Sequence, residues 1–166
     1  MTGWGNFAAA FAVFMVSHAV PVRPPVRPWL ARRLGERGFL VAYAAVSVAV
    51  LAWLIVTAGR APFVPVIPHT PWLRWVPLAV MPVVCWLAVW GVSLPNPLSF
   101  GGRRGGDGAV AVPPAGAAFT RHPLLLALAL WAGAHLLANG DLAHVILFGA
   151  LGAFAVLGMG LVDRRR

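Results

Sequence analysis

Charged side chains are scarce in this sequence of 166 residues, and lysine is absent altogether. Only 10% of the residues are charged and 60% are hydrophobic, whereas a soluble domain carries about 25% charged residues. Such a composition indicates that the solvent of this chain is a lipid bilayer. The lone cysteine, Cys85, excludes an intrachain disulfide and a cysteine-based zinc site. No Walker A, strand-linked GxGxxG or HExxH motif is present, so no common soluble-enzyme signature is found.

Acidic residues are equally few, with four carboxylates against thirteen arginines and a net charge of +9. A strong positive charge can indicate nucleic-acid binding. Here the arginines form blocks between apolar runs, as the positive-inside rule predicts for a membrane protein. We therefore expect no nucleic-acid partner. Acidic pairs are missing from the apolar runs, which leaves a carboxylate-based proton mechanism without support.

Five apolar runs predict five transmembrane helices, at residues 4–20, 39–59, 72–93, 123–139 and 142–162. Each has roughly the ~20 residues needed to cross ~30 Å of hydrocarbon. The fold class expected is an all-α polytopic membrane helix bundle, with residues 1–166 forming one integral membrane domain. The first run lacks a basic start and a small-residue cleavage site, so it is not expected to be a removable signal peptide.

The arginine blocks set the predicted orientation. An N-terminus outside and a C-terminus inside would place eleven arginines in the cytoplasm and two outside, and the reverse arrangement would invert that count. The cytoplasmic arginines would be Arg23, Arg27, Arg32, Arg33, Arg37, Arg103, Arg104, Arg121, Arg164, Arg165 and Arg166. We therefore predict an N-out, C-in topology.

Local signals predict several boundaries. Pro123 fits the first turn of helix 4, and "NGD" at 139–141 predicts a left-handed stop at Gly140 followed by an N-cap at Asp141. Helices 4 and 5 should then form a tight antiparallel hairpin. Pro77 and Pro82 are expected to lie inside helix 3 and kink it. The Gly- and Pro-rich segment 96–119 is expected to be mobile around 101–108.

His18 closes an aromatic stripe on the first helix. Phe7, Phe11, Phe14 and His18 are spaced by four, three and four residues, so they share one helical face. One interpretation is a packing seam in which His18 reaches the membrane interface. The other is a functional imidazole, because ionisable groups in membrane helices often serve a function.

His135 lies about 18 Å along the helix axis from Pro123, inside the bilayer. It continues a stripe that includes Leu128 and Trp131. A polar group at this depth needs a partner. The alternatives are a structural hydrogen bond, a metal or haem ligand, or a proton carrier.

The other histidines have plainer interpretations. His122 follows Arg121 at the start of helix 4 and suits a solvated anchor or a lipid-headgroup contact; it points about 140° away from His135 on an ideal helix. His144 should be approached by Asp141 at the start of helix 5. His69 is expected to be solvated, and Asp163 to form a surface ion pair beside the C-terminal arginines.

Several segments taken together resemble the NnrU family of bacterial membrane proteins. The matching pieces are "SHAVPVRPPVRPWLARRLGERGFLVAYAAVS" with "AWLIVTAGRAP" (17–62), "NPLSF" (96–100), "TRHP" (120–123), "LWAGAHLLANGDL" (130–142) and the final "DRRR". The resemblance implies a bacterial inner-membrane protein linked to denitrification, where the family supports nitrite and nitric oxide reductase activity.

The family is also distantly similar to plant zeta-carotene isomerase, a membrane enzyme that uses haem b. That similarity implies haem b as the cofactor, with His18 and His135 as the two iron ligands. In the isomerase, a cysteine three residues before the second histidine serves a redox-dependent ligand switch. Ala132 occupies that position here, so this switch is not expected.

The depths of the histidines leave the ligand pair open. His18 lies near the predicted cytoplasmic end of helix 1, so it could pair with His122 at a similar depth and leave His135 to act alone. In the haem hypothesis, Arg23, Arg27 or Arg121 would pair with the propionates. Phe7, Phe11, Phe14 and Trp131 would form the apolar pocket wall.

Two other hypotheses belong to different functional classes. A non-catalytic assembly factor for respiratory reductases needs only surfaces that contact membrane respiratory proteins. A membrane methyltransferase is suggested by the Arg-His-Pro sequence at 121–123, which also occurs in isoprenylcysteine methyltransferase-like proteins. Those proteins carry paired glutamates near the C-terminus, and no glutamate follows Arg121. The possible partners are therefore lipid, an apolar small-molecule substrate, or respiratory membrane proteins.

Overall fold

The computed structural model describes residues 3–68, 70–93 and 120–164, and over these residues the chain is all-α. The helices are α1 (Gly3–Ala19), α2 (Val26–Gly59), α3 (Trp75–Ser93), α4 (Pro123–Ala138) and α5 (Leu142–Arg164), with a 3₁₀ turn at Pro71–Arg74 before α3. The predicted five-helix fold is confirmed, and its helix order is compatible with the N-out, C-in topology. His69, the segment 96–119 with Arg103 and Arg104, and Arg165 and Arg166 lie outside the described residues.

The chain forms two compact units. Met1–Val64 contains α1 and α2, which pack on each other, and Pro65–Arg166 contains α3, α4 and α5. In the second unit α4 packs against both α3 and α5. The single domain predicted for residues 1–166 stays a prediction.

Several helices are suited to a bilayer. By length and composition, Val26–Gly59, Pro71–Ser93 and Leu142–Arg164 are long and apolar enough to cross a membrane, and Pro123–Ala138 is a shorter apolar helix. At 1.5 Å per residue α4 is about 24 Å long, less than the ~30 Å of hydrocarbon. These helices identify the chain as a membrane protein.

Helix α2 begins at Val26, thirteen residues before the predicted start, so the prediction of a loop before residue 39 was wrong. Pro28 falls within the first turn of α2, where a proline does not break the hydrogen-bond pattern. The arginine-rich stretch is therefore helical from Val26 onward. The helix is kinked at Gly35, whose φ of 72° and ψ of 160° are not helical. Only glycine adopts this backbone conformation without strain.

The prolines of helix 3 have different roles from those predicted. The 3₁₀ turn Pro71–Arg74 precedes α3, and Pro77 lies in the first turn of α3 rather than inside it. Pro82 alone of the two lies in the helix interior. Beyond it, Val84 and the fully buried Leu87 pack with Ala127 of α4. This contact forms the core between α3 and α4.

Helices α4 and α5 form the predicted antiparallel hairpin. Small residues allow the two backbones to approach closely, as in many membrane helix pairs. A Cβ placed on Gly149, Gly152 or Gly158 would lie 3.8, 3.7 and 3.4 Å from the side chains of Leu136, Ala132 and Leu125, respectively. The residue numbers rise on α5 as they fall on α4, so the helices run in opposite directions.

Gly140 in the connection has a different role from the one predicted. Gly35 is the only glycine with positive φ among the described residues, so the left-handed stop expected at Gly140 was wrong. The N–H groups of Val66 and Ile67 both donate to the Gly140 carbonyl at 2.9 Å. A Cβ on Gly140 would overlap the Ile67 carbonyl oxygen. Glycine is required here because two backbones approach each other closely.

Candidate functional site

His18 lies in the last turn of α1, at the end of the predicted aromatic stripe. Its ring packs on Phe14, with the ring centroids 4.1 Å apart, and on Tyr43 of α2 at 6.0 Å. The Nδ1 atom is 2.8 Å from the Phe14 carbonyl oxygen, four residues earlier. Phe7 and Phe14 are buried. The shared face predicted from the spacing is therefore present in the packing of α1.

His135 has the same local arrangement on α4. Its Nδ1 atom is 2.9 Å from the Trp131 carbonyl oxygen, again four residues earlier. The His135 ring lies 5.1 Å from the Trp131 ring and 5.2 Å from the Phe148 ring. His135 stands three residues before the end of α4, near the connection to α5 rather than near Pro123.

These contacts decide which ring nitrogen carries the proton. A carbonyl oxygen can only accept a hydrogen bond, so Nδ1–H of His18 donates to Phe14 and Nδ1–H of His135 donates to Trp131. In the neutral rings the lone pair then lies on Nε2. No hydrogen bond to either Nε2 forms within the described part of the chain. A metal-binding histidine commonly has this arrangement, with its other nitrogen donating to a carbonyl.

His144 completes an aromatic cluster with His135 that the sequence interpretation missed. Phe148 of α5 is buried and stacks on His144, with ring centroids 5.9 Å apart. The Phe148 ring also contacts the rings of His135 and Trp131. The i,i+4 spacing of His144 and Phe148 was a usable signal for one half of this cluster. The contacts of Phe148 with Trp131 and His135 of α4 depend on how α4 and α5 pack, so the spacing of residues does not predict them.

Asp141 holds His144 as predicted. Its carboxylate accepts the His144 backbone N–H at 3.3 Å, which caps α5, and the His144 Nδ1–H at 2.6 Å. His144 thus donates to a carboxylate, whereas His18 and His135 donate to backbone carbonyls. The N-cap predicted at Asp141 is confirmed.

His122 is buried, so its interpretation as a solvated anchor was wrong. The residue is 5% exposed, and its Nε2 is 3.0 Å from Oδ1 of Asp163 near the end of α5. The carboxylate oxygen accepts, which places the proton on Nε2 and the lone pair on Nδ1. That buried Nδ1 has no hydrogen-bond partner among the described residues. Asp163, near the end of α5, thus bonds to His122, just before the start of α4. This contact joins the two helices at the end of the hairpin opposite the 139–141 turn. It is additional to the surface ion pair with arginines that was predicted for Asp163.

The predicted propionate-binding arginines are in different environments. Arg27 forms an ion pair with Glu36 and lies over the Phe39 ring at 5.7 Å, which engages its guanidinium within α2. Arg23 is exposed in the connection between α1 and α2, and Arg121 is exposed just before α4. Arg121 also takes part in a further interaction.

The site residues fall into both units. His18, Arg23 and Arg27 belong to the first, and Arg121, His122, Trp131 and His135 belong to the second. Trp131 and His135 are in contact, as the stripe on α4 predicted. No group of three or more histidine, cysteine, aspartate or glutamate side chains suited to a metal ion occurs within residues 3–68, 70–93 and 120–164.

The helices and these imidazoles define the class of protein. Over the described residues it is an all-helical membrane protein in which His18, His122, His135 and His144 lie at or near helix ends, each with one ring nitrogen bonded to a protein acceptor. The sequence model of the NnrU family, described as "NnrU protein", matches residues 6–166, nearly the whole chain. The chain belongs to the NnrU family.

Further comparisons add no relative. No curated protein and no solved structure matches the chain at a significant level. The similarity to zeta-carotene isomerase stays a prediction.

Proposed function

We propose that this NnrU-family membrane protein binds haem b, and that His18 and His135 each offer an imidazole ligand through Nε2. The observation that carries the proposal is the shared arrangement of the two rings. In each, Nδ1–H donates to the carbonyl four residues earlier, so the Nε2 lone pair is available to iron. Haem brings four ring nitrogens of its own, so one or two imidazoles complete its coordination.

The surroundings of the two rings suit an apolar cofactor. Phe14 and Tyr43 flank His18, and Trp131 and Phe148 flank His135. Aromatic rings supply large apolar contact areas. Arg23 is exposed and could pair with a propionate, since arginine forms strong charge-assisted hydrogen bonds with carboxylates. Arg27 is the weaker candidate because it already pairs with Glu36.

The chemistry follows from this ligand set. Haem, when bound, would supply an iron atom that exchanges single electrons, and His18 and His135 would be the residues that hold it. The chain's own contribution is to hold each imidazole in one tautomer and one rotamer. We place this activity in the bacterial cytoplasmic membrane, in nitric oxide metabolism or in isomerisation of an apolar isoprenoid.

The test is a dithionite-reduced minus oxidised absorption spectrum of the detergent-purified protein from haem-sufficient cells. We expect a Soret band and α-band shifts in the native chain, and a lower haem-to-protein ratio in His18→Ala and His135→Ala. His69→Ala is the matched control, since it removes an imidazole that the proposal does not use. Added imidazole should restore the spectrum of His135→Gly.

Two results would count against haem binding. One is a native chain purified without a Soret band. The other is a haem content that neither His18→Ala nor His135→Ala changes. A deletion strain separates this proposal from an assembly factor, because a scaffold would still complement the strain as a His18→Ala, His135→Ala double variant. Loss of complementation in that variant, with normal membrane levels, favours the cofactor.

A further inference from the structure

The chain is strongly basic around the start of α2. Residues 23–37 carry five arginines and one glutamate, a net charge of +4. Arg23, Arg32, Arg33 and Arg37 are all exposed, and the Arg33 guanidinium lies over the Trp29 ring at 5.5 Å. Such a segment next to a membrane helix attracts anionic lipids. We name residues 23–37 the basic segment.

The basic segment is amphipathic in its helical part. At 100° per residue, Val26 and Leu34 each point about 40° away from Leu30, on opposite sides, and Arg27 and Arg33 lie about 60° to either side of Leu30. Trp29 is 51% exposed, and tryptophan is enriched at membrane–water interfaces. An apolar stripe flanked by arginines is typical of a helix that lies in the lipid interface.

The kink at Gly35 brings apolar residues from the second part of α2 to the same groove as this stripe. The helix path breaks at Gly35, and residues on both sides of the break line one groove. Leu30 and Leu34 contribute from before the kink, and Phe39, Tyr43 and Val46 from after it. The groove has a volume of about 200 Å³. Small-molecule pockets usually measure about 300–1,000 Å³, so the groove suits part of a chain-like apolar ligand.

We propose that the groove and the basic segment together bind an anionic phospholipid. The acyl chain would lie on the groove's apolar walls, and the phosphate would be held by the exposed arginines of α2, Arg32, Arg33 and Arg37. Charge complementarity supports this occupant: the walls are apolar while the rim is cationic. A zwitterionic lipid would share the chain contacts but would gain much less from a net charge of +4. This inference does not depend on haem.

The test measures lipid binding to the purified full-length chain with fluorescent phosphatidylglycerol and phosphatidylcholine in detergent. We expect preferential binding of phosphatidylglycerol. The Arg32→Gln, Arg33→Gln double variant should weaken it by about 25-fold, at about fivefold for each arginine. Arg60→Gln, Arg74→Gln is the matched control, because it removes two exposed arginines outside the basic segment and should leave binding within about twofold of the native chain.

A second variant tests the groove itself. Ala42 is exposed and lines the groove, so Ala42→Trp should occupy the space without disturbing a buried contact. We expect it to weaken phosphatidylglycerol binding while the arginines remain. Unchanged binding in this variant would overturn the groove as the acyl site. Equal losses in the two arginine double variants would overturn the basic segment as the headgroup site.

A competition arm separates lipid from free phosphate. Glycerol 3-phosphate supplies a glycerol-linked phosphate without acyl chains, so it should not displace the labelled lipid at millimolar concentration. Displacement would show that the arginines bind a soluble phosphate and would overturn the lipid assignment. The haem spectrum of each variant should stay unchanged, which keeps a failure of this inference distinct from a failure of haem binding.

Discussion

Replacing Gly140 with alanine should destabilise the second unit, although a protein is usually more stable with alanine than with glycine at a given position. The added Cβ would overlap the Ile67 carbonyl oxygen and lie 3.2 Å from its carbonyl carbon. Both are backbone atoms, so no side-chain rotation can relieve the overlap. The two segments would have to separate by about 1 Å to reach an ordinary carbon–oxygen distance.

The magnitude follows from the hydrogen bonds lost in that separation. Val66 N–H and Ile67 N–H each donate to the Gly140 carbonyl at 2.9 Å, and a shift of about 1 Å takes both beyond hydrogen-bond range. A typical hydrogen bond contributes about 0.5–1.5 kcal/mol. We therefore expect Gly140→Ala to lower the free energy of unfolding by about 1–3 kcal/mol.

The assay is denaturation in mixed detergent micelles, followed by circular dichroism. Gly133→Ala is the control, because a Cβ there meets nothing within 4 Å. It should raise the free energy of unfolding by up to about 1 kcal/mol through helix propensity. The opposite signs distinguish close backbone approach from a general effect of alanine. A Gly140→Ala protein as stable as the native chain would refute the reasoning.

Two more substitutions test the kink and the hairpin ends. Gly35→Ala should lower the free energy of unfolding by about 1–3 kcal/mol, because an L-residue at φ 72° and ψ 160° is strained. An unchanged unfolding midpoint would contradict the kink. Asp163→Asn should lower the free energy of unfolding by about 1 kcal/mol, because it weakens the hydrogen bond from His122 Nε2–H. A cycle with His122→Gln isolates the pair, and additive effects of the two substitutions would show that the residues are not coupled.

The helices themselves could largely be predicted, because apolar runs of about twenty residues have few alternatives in a membrane protein. The start of α2 could not. Three prolines and five arginines between residues 23 and 37 resemble a loop, but Pro28 falls in the first turn and arginine is a good helix former. Composition alone does not show where a basic helix continues into an apolar one.

The candidate site was predictable only where it is local. The contact between Phe14 and His18 and the N-cap at Asp141 follow from spacings of three or four residues. His122 and Asp163 are 41 positions apart, so their contact depends on how α4 and α5 pack. Sequence patterns give the face of a helix but not the distance to another helix. The burial of His122 was missed for this reason.

The short α4–α5 connection affects how the chain enters a membrane. Residues 139–141 alone separate the two helices, and they carry no cationic side chain and a single carboxylate at Asp141. Arginine and lysine resist translocation far more than acidic residues do. During synthesis the hairpin can therefore insert as one piece. Only this turn then crosses the bilayer, and Arg121 and Arg164 remain on the side from which the hairpin inserts. A three-residue turn thus makes the insertion of this hairpin easier.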